Sequence, residues 1–379
     1  MRFVLAPDSF KESMTAEQAC AAMQRGVQQV FPEAECIWVP MADGGEGTLD
    51  ALLRSLKGHC HACIVSGPLL SQQVTTYFAV VDDGQTAVIE MAKANGIHLL
   101  KGSKRNPLLT STHGTGEMLA RALDLGVQKI IIGLGGSVTN DGGAGMAQAL
   151  GVQFLNAIGE PLQVYGGNLN QITNIDISDL DPRLTQTEII IASDVTNPLC
   201  GEHGASAIFG PQKGATHAMV QQLDQNLQHF ANLVEVTLQV SCRDIAGAGA
   251  AGGLGFGLMA FAGARIQSGV ELIIGQSQLA RHIVEADCVF TGEGKIDQQT
   301  ALGKTPFGVA QVAKRLNKPV IAFAGLVGEG IESLYQAGFS QIIGINPPDC
   351  SLAEALQNAE WHLQQACAHV ALTIKKSSD

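Results

Sequence analysis

The sequence is poor in positive charge and contains no long apolar run, and each absence excludes a class of partner. Its 23 lysines and arginines stand against 35 aspartates and glutamates, which gives a formal charge of −12. Because no basic stripe is present to displace phosphate counterions, we expect no nucleic-acid partner. No apolar run reaches the roughly 18 residues that span a bilayer. The start, MRFVLAPDSFK, predicts a first strand and no signal peptide. We therefore expect a cytoplasmic protein without a membrane partner.

Paired metal-binding cysteines are also lacking. The chain has nine cysteines, scattered singly except for Cys60 and Cys63. No second pair follows at zinc spacing, and the residues around this pair alternate as in a strand. The pattern predicts reduced, structural thiols.

Two stretches of alternating strands and helices lie at the two ends of the chain. The length of 379 residues favours two domains, and 46% hydrophobic residues can fill their cores. Five short apolar strands, near residues 4, 38, 289, 322 and 343, alternate with helical patterns. This pattern predicts a flavodoxin-like, five-stranded, parallel, doubly wound α/β domain formed by residues 1–60 plus 286–379.

Between these stretches the pattern changes. Residues 59–65, 74–81 and 86–91 form short strand patterns joined by turn signals, as in an antiparallel sheet. Helical and buried-strand patterns then alternate up to residue 285. We therefore predict that residues 61–285 form a second α/β domain with a mixed sheet, inserted into the first.

A glycine-dense segment at residues 130–146, IIIGLGGSVTNDGGAGM, stands out within the predicted insert. An apolar run typical of a buried strand is followed by a glycine-rich turn and a helix. Free N–H groups at a helix N-terminus favour an anion, and glycine lets the backbone approach a ligand closely. The segment predicts a phosphate site. A tight strand-to-helix connection without a ligand is the alternative.

Two better-known nucleotide motifs fail when compared letter by letter. Gly303-Lys304-Thr305 resembles the end of a P-loop, but Gln298 occupies the position of the required first glycine. Residues 247–252, GAGAAG, satisfy the dinucleotide pattern G-x-G-x-x-G, yet the preceding VSCRDI is a poor strand. An NAD-dependent hydroxy-acid dehydrogenase therefore stays open as a weaker alternative.

What remains is a set of glycine-flanked acidic loops with lysines close by in sequence. Phosphoryl transfer needs N–H groups and lysines for phosphates, acids for Mg²⁺, and a carboxylate that orients the attacking hydroxyl. Singly, each acid can also be read as a helix cap or a turn residue. A non-catalytic binding protein would not gather unpaired carboxylates around an anionic ligand. The acids are Asp8, Asp43, Glu46, Asp141, Asp194, Glu293 and Asp297, and the lysines are Lys11, Lys295 and Lys304.

Five of these segments together resemble bacterial glycerate kinases of the GarK/GlxK type. They are residues 6–13 (APDSFKES), 42–48 (ADGGEGT), 133–146 (GLGGSVTNDGGAGM), 193–200 (SDVTNPLC) and 291–297 (TGEGKID). The resemblance covers essentially the whole chain in the same order. It implies ATP-dependent phosphorylation of D-glycerate with Mg²⁺, usually at the 2-hydroxyl, in a flavodoxin-like domain that carries an inserted α/β domain. Phosphorylation at the 3-hydroxyl stays open.

We expect the site to lie in a cleft between the two domains, because all the acidic loops follow predicted strands. The catalytic candidates are Asp194, as the base or orienting carboxylate, and Lys295. Asp43, Glu46 and Asp297 are predicted to hold Mg²⁺. The residues predicted to bind substrate or ATP are Asp8, Ser9, Lys11, Gly135, Gly136, Ser137, Asn140, Asp141, Gly142, Gly143, Asn197, Gly292, Glu293 and Gly294. The sequence leaves the oligomeric state open, a homo-oligomer included.

Overall fold

The computed structural model describes residues 1–45 and 47–378 and divides into two compact units. The first comprises Met1–Asp43, Asp50–Ser55 and Val270–Asp379, and the second comprises Gly44–Leu49 and Leu56–Gly269. Within the described ranges, no helix is both long and apolar enough to cross a membrane.

The strands and helices alternate along most of the chain. The strands are β1 (Arg2–Leu5), β2 (Glu35–Trp38), β3 (Gly58–Ser66), β4 (Gln73–Val81), β5 (Thr86–Glu90), β6 (Lys129–Gly133), β7 (Gln153–Leu155), β8 (Asn174–Asp176), β9 (Glu188–Ala192), β10 (Arg265–Gln267), β11 (Cys288–Ile296), β12 (Val320–Val327) and β13 (Phe339–Gly344). The helices are α1 (Ala16–Val30), α2 (Thr48–Leu56), α3 (Ala92–Asn95), α4 (His113–Asp124), α5 (Ala144–Ala149), α6 (Ala205–Phe209), α7 (His217–Leu238), α8 (Ala250–Ala262), α9 (Gly269–Gln276), α10 (Leu279–Val284), α11 (Thr305–Arg315), α12 (Glu332–Ala337), α13 (Leu352–Gln357) and α14 (Ala359–Ser378).

The first unit contains a parallel five-stranded sheet in the order β13-β12-β11-β1-β2. Counted within the unit, this is the order 5-4-3-1-2, which is the flavodoxin-like arrangement. The predicted fold of this part is confirmed. Strands β1 and β11 are neighbours although most of the chain separates them, so the order reverses between them. In sheets of this kind, ligands bind beyond the carboxyl ends of the strands at this reversal.

Aromatic side chains fill the core of the first unit. Phe3, Phe290 and Phe323 are fully buried, and their rings contact one another in tilted, edge-to-face pairs. Helix α1 begins with a capping box, in which Thr15 and Gln18 satisfy each other's backbone N–H groups.

Strand β11 is longer than the sequence predicts. The sequence predicts a short strand near residue 289 and places Glu293 in an acidic loop, but β11 continues to Ile296. Its second half pairs in register with β12, from Gly292 opposite Phe323 to Ile296 opposite Val327. Glu293 and Lys295 therefore lie on a hydrogen-bonded strand and not in a loop. The segment has little strand propensity of its own, and pairing with β12 extends the strand through it.

The second unit contains a six-stranded mixed sheet in the order β10-β9-β6-β5-β4-β3. Strands β3, β4 and β5 pair antiparallel, whereas β5, β6, β9 and β10 run parallel, so the predicted mixed sheet is confirmed. The small antiparallel pair β7–β8 was not predicted, because each strand has only three residues.

Candidate active site

An acidic cluster lies at the carboxyl end of β1 in the first unit. The carboxylate of Asp8 is almost buried and accepts hydrogen bonds from the Ser9 N–H at 2.6 Å and the Thr305 hydroxyl at 2.5 Å. Burial, with the nearby carboxylate of Asp43, raises the pKa of Asp8 to about 7, although both hydrogen bonds oppose this shift. Asp8 is therefore poised to hold a proton or to be neutralised by a cation near neutral pH.

Glu293 belongs to the same cluster and is placed by strand β11. Its carboxylate accepts a hydrogen bond from the Thr300 hydroxyl at 2.9 Å and lies 3.7 Å from the Lys304 ammonium. Burial raises the pKa of Glu293, while the Lys304 charge opposes the shift. Lys304 is thus a basic group of this cluster, although the sequence did not single it out as a binding residue.

The other predicted residues of the first unit have different surroundings. Lys295 and Asp297 form an ion pair with each other at 2.8 Å, which lowers the pKa of Asp297. Lys11 is exposed on the loop after Asp8. A Cβ at Gly292 would lie 2.4 Å from the Phe323 carbonyl oxygen, so sheet packing alone requires this glycine. A Cβ at Gly294 would meet the Lys11 backbone nitrogen at 3.3 Å.

The carboxylates of this cluster suit Mg²⁺ better than a metal ion whose ligands all come from the protein. In the described part of the chain, no three histidine, cysteine or acidic side chains are grouped as metal ligands. Mg²⁺ usually takes one or two carboxylates, several waters and substrate phosphates. The Asp43 carboxylate is close enough to Asp8 to raise its pKa, and these two carboxylates satisfy this smaller requirement. Glu46, predicted as a third ligand, lies outside the described residues.

In the second unit, packing explains most glycines of the turn after β6. A Cβ at Gly143 would lie 2.9 Å from the Gly257 Cα of helix α8, and one at Gly142 would lie 2.9 Å from the Phe230 ring. Gly145 has the same restriction, with the Ser111 hydroxyl 2.0 Å from its Cβ position. These glycines permit close contact between helices and chain reversals.

Asp141 occupies the N–H groups that we predicted for a phosphate. It is fully buried and accepts four hydrogen bonds, from the Thr112 N–H and hydroxyl and from the N–H groups of Gly143 and Gly145. Burial raises its pKa and these hydrogen bonds oppose the shift. The start of α5 is therefore already satisfied by a carboxylate from its own turn.

The accessible part of the turn comes immediately after β6. Gly135 is half-buried and Gly136 is exposed, whereas Ser137 and Asn140 are buried. The Asn140 side-chain amide donates to the Ser206 hydroxyl at 3.0 Å, so Asn140 ties the turn to helix α6. The Gly135 N–H donates to the Gly44 carbonyl at 3.5 Å, and a Cβ at Gly135 would lie 2.4 Å from the Gly45 Cα. The exposed backbone of Gly136 is therefore the part of the turn that a ligand can reach.

Asp194 lies at the same edge of this sheet as the accessible turn. Strands β6 and β9 are parallel neighbours with Gly133 opposite Ala192, and Gly135 and Asp194 each follow two residues later. Asp194 is exposed. Asn197, in contrast, donates from its side-chain amide to the His203 backbone carbonyl at 2.8 Å. Its backbone carbonyl accepts a hydrogen bond from the Gly249 N–H at 3.0 Å. Asn197 therefore shapes the loop that follows Asp194.

The alternative dinucleotide site is not supported by its surroundings. The segment directly before the G-x-G-x-x-G pattern forms no strand. A Cβ at Gly249 would lie 2.3 Å from the Pro198 carbonyl oxygen, and one at Gly252 would lie 2.0 Å from that of Thr139. Packing against these backbone segments accounts for both glycines.

Sequence reasoning missed a buried lysine, Lys213. Its side chain is only 1% exposed, and its ammonium donates to the Ser137 hydroxyl at 2.8 Å and the Thr139 carbonyl at 2.7 Å. Burial lowers its pKa to about 7. The surrounding residues, PQKG, carry no motif that we used, and only the folded chain brings Lys213 to the turn.

The family model that matches this chain is described as the glycerate kinase family and covers residues 3–375. The chain is 50% identical to a glycerate kinase of Halalkalibacterium halodurans, over 97% of each chain. It is 46% identical to a glycerate 2-kinase of Escherichia coli K12, over 99% of this chain and 98% of the relative. A crystal structure of a protein assigned as glycerate kinase 2 from Salmonella typhimurium LT2 superimposes with a TM-score of 0.86, at 44% identity, over 100% and 99% of the two chains.

The acidic cluster at the parallel sheet of the first unit and the glycine-rich turn of the second unit, together with these relatives, define a kinase. The chain belongs to the glycerate kinase family. Membership in a kinase family implies ATP as the phosphoryl donor.

Proposed function

We propose that this protein transfers the γ-phosphoryl group of ATP to the 2-hydroxyl of D-glycerate. The observation that carries the proposal is the 46% identity to a named glycerate 2-kinase over almost the full length of both chains. In the reaction, a bond forms between the hydroxyl oxygen and the γ-phosphorus, and the bond to the β-phosphate oxygen breaks. The hydroxyl proton passes to a base, and ADP leaves.

We propose Asp194 as the carboxylate that orients the glycerate hydroxyl and accepts its proton. Its place beyond the carboxyl end of a parallel strand, exposed and beside the glycine-rich turn, supports this role. Gly136 and Ser137 would approach the phosphates through their backbone N–H groups, and Gly135, whose N–H donates to the Gly44 carbonyl, would shape the turn beside them. Asn140, Asp141, Gly142 and Gly143 would support that turn from within.

The first unit would supply charge for the anionic ligands. Lys11 and Lys295 are the exposed cations proposed to neutralise a phosphate or the glycerate carboxylate. Asp43, together with Asp8, is the pair that fits Mg²⁺, and bound Mg²⁺ would neutralise charge on the phosphates. Glu46 and Asp297 stay predicted ligands, and Asp297 would have to leave its ion pair with Lys295.

Three predictions made from the sequence belong with this proposal. The domain limits at residues 60 and 286, a single cleft shared by both domains and the absence of a nucleic-acid partner stay predictions. Use of ATP, an intracellular substrate, supports a cytoplasmic location.

Coupled detection of ADP tests the proposal. We expect the wild-type protein to release ADP from ATP only when D-glycerate is present. We expect Asp194→Asn to lower kcat by about 100-fold or more, because a positioned base contributes factors of about 10²–10⁴. Asp83→Asn is the matched control, since Asp83 is an exposed turn residue of the same unit and should leave kcat unchanged.

Absence of glycerate-dependent ADP release in the wild-type protein would refute the activity. Retention of most of the wild-type kcat by Asp194→Asn would refute the role of Asp194 alone.

A further inference from the structure

Lys213 lies in a closely packed part of the second unit. It ends a short 3₁₀ turn, Pro211–Lys213, and is followed by Gly214 at φ +92°. A Cβ at Gly214 would lie 2.4 Å from the Arg105 carbonyl oxygen, so the backbone at this point packs closely against another segment. The lysine side chain therefore reaches the glycine-rich turn from a closely packed backbone segment.

The Lys213 ammonium is buried, and the described part of the chain offers it no direct ionic partner. In its charged form, which burial disfavours by lowering the pKa to about 7, it has three protons, and its hydrogen bonds go to one hydroxyl and one carbonyl, both on the turn. Among the described residues it forms no ion pair. Asp141 acts on it electrostatically, but the Asp141 carboxylate already accepts four hydrogen bonds.

A buried charge of this kind is costly to the folded state. An unpaired ammonium in the interior loses its hydration, and a hydroxyl and a carbonyl restore only part of it. A well-packed apolar side chain would fill the same space at lower cost. The positive charge also lies one hydrogen bond away from Ser137, next to the accessible Gly136. An anion at that turn would supply the missing negative charge.

We propose that Lys213 is a positioning residue that fixes Ser137 and Thr139 of the turn, and that a nucleotide phosphate bound at Gly136 and Ser137 is the anion that its charge stabilises. The inference rests on the proposed function, because it takes the phosphates of ATP to bind at this turn. The residue does not touch the reacting atoms. It acts through the conformation and the electrostatic potential of the turn.

Titration calorimetry with MgADP tests this inference without requiring turnover. We expect Lys213→Met, which keeps the length of the side chain but removes the charge, to weaken MgADP binding about tenfold or more. The KM for ATP should rise by a similar factor, while the KM for D-glycerate should change less than about threefold. Lys101→Met is the control, because Lys101 is an exposed lysine of the same unit, and it should bind MgADP as the wild-type protein does.

A second variant separates positioning from folding. If Lys213 acts through Ser137, then Ser137→Ala should also weaken MgADP binding, and the double variant should be little weaker than Lys213→Met. Thermal unfolding of each variant shows whether it is folded. If Lys213→Met does not fold, the binding of MgADP by Ser137→Ala decides the matter.

Three results would overturn the inference. The first is a folded Lys213→Met with wild-type affinity for MgADP, which would assign a purely structural role. The second is unchanged binding by Ser137→Ala, and the third is no binding of MgADP by the wild-type protein. A wild-type protein that binds MgADP through Lys213 but releases no ADP with D-glycerate would instead refute the proposed function and leave this inference standing.

Discussion

Replacing Asp8 by asparagine should remove a pH-dependent loss of stability from the first unit. The Asp8 carboxyl has its pKa raised from 3.8 to about 7 by burial and by the neighbouring Asp43. Asparagine has the same shape, can accept from the Ser9 N–H, and can donate to the Thr305 hydroxyl, so both contacts can persist. The variant therefore changes mainly the charge.

The sign of the effect follows from which state holds the proton. Between about pH 5 and about pH 7, Asp8 is protonated in the folded protein and ionised in the unfolded chain. The free energy of unfolding therefore falls as pH rises, by about 1.4 kcal/mol per pH unit for one proton. From about pH 5 to about pH 8 the wild-type protein should lose on the order of 3 kcal/mol that Asp8→Asn retains.

Urea unfolding followed by tryptophan fluorescence measures this difference. The chain has two tryptophans, Trp38 and Trp361, and both lie in the first unit, so the signal reports the unit that contains Asp8. Measurements without divalent cations, across this pH range, give the difference between variant and wild type. Asp349→Asn, at an exposed aspartate of the same unit, is the control and should stay parallel to the wild type. A constant offset between Asp8→Asn and the wild type at every pH would refute the reasoning.

Two further predictions concern stability. Gly143→Ala should lower the thermal midpoint more than Gly159→Ala does. Both glycines have φ near +80°, but only a Cβ at Gly143 would lie 2.9 Å from a backbone atom, the Gly257 Cα. Equal losses in the two variants would contradict this prediction. Thr15→Ala should cost the first unit about 1 kcal/mol by removing the helix cap, as measured by the urea midpoint of tryptophan fluorescence, and an unchanged midpoint would contradict the predicted role of the cap.

The local signals in the sequence predicted the elements well. The capping box at Thr15, the apolar β-branched runs and the alternation of strands with helices lie within short windows, so they can be recognised without the fold. The parallel sheet of the first unit follows from that alternation. Strand β11 extends further than expected because its second half depends on β12, which only the folded chain places beside it.

The candidate site was harder to predict because glycine serves two purposes. The sequence cannot distinguish a glycine that a ligand requires from one that a helix requires. Gly143 accommodates Gly257 of helix α8, far away in the chain, whereas Gly136 is exposed. Lys213 was missed because its burial and its contacts with the turn arise only from tertiary packing.

The central claim is that the enzyme phosphorylates the 2-hydroxyl of D-glycerate, and proton-coupled phosphorus NMR of the product tests it most directly. A phosphate on the 2-oxygen is coupled to the single hydrogen on that carbon, so we expect a doublet from protein incubated with D-glycerate and MgATP. A triplet, from the two hydrogens on the third carbon, would show that the other hydroxyl is phosphorylated and would contradict the account.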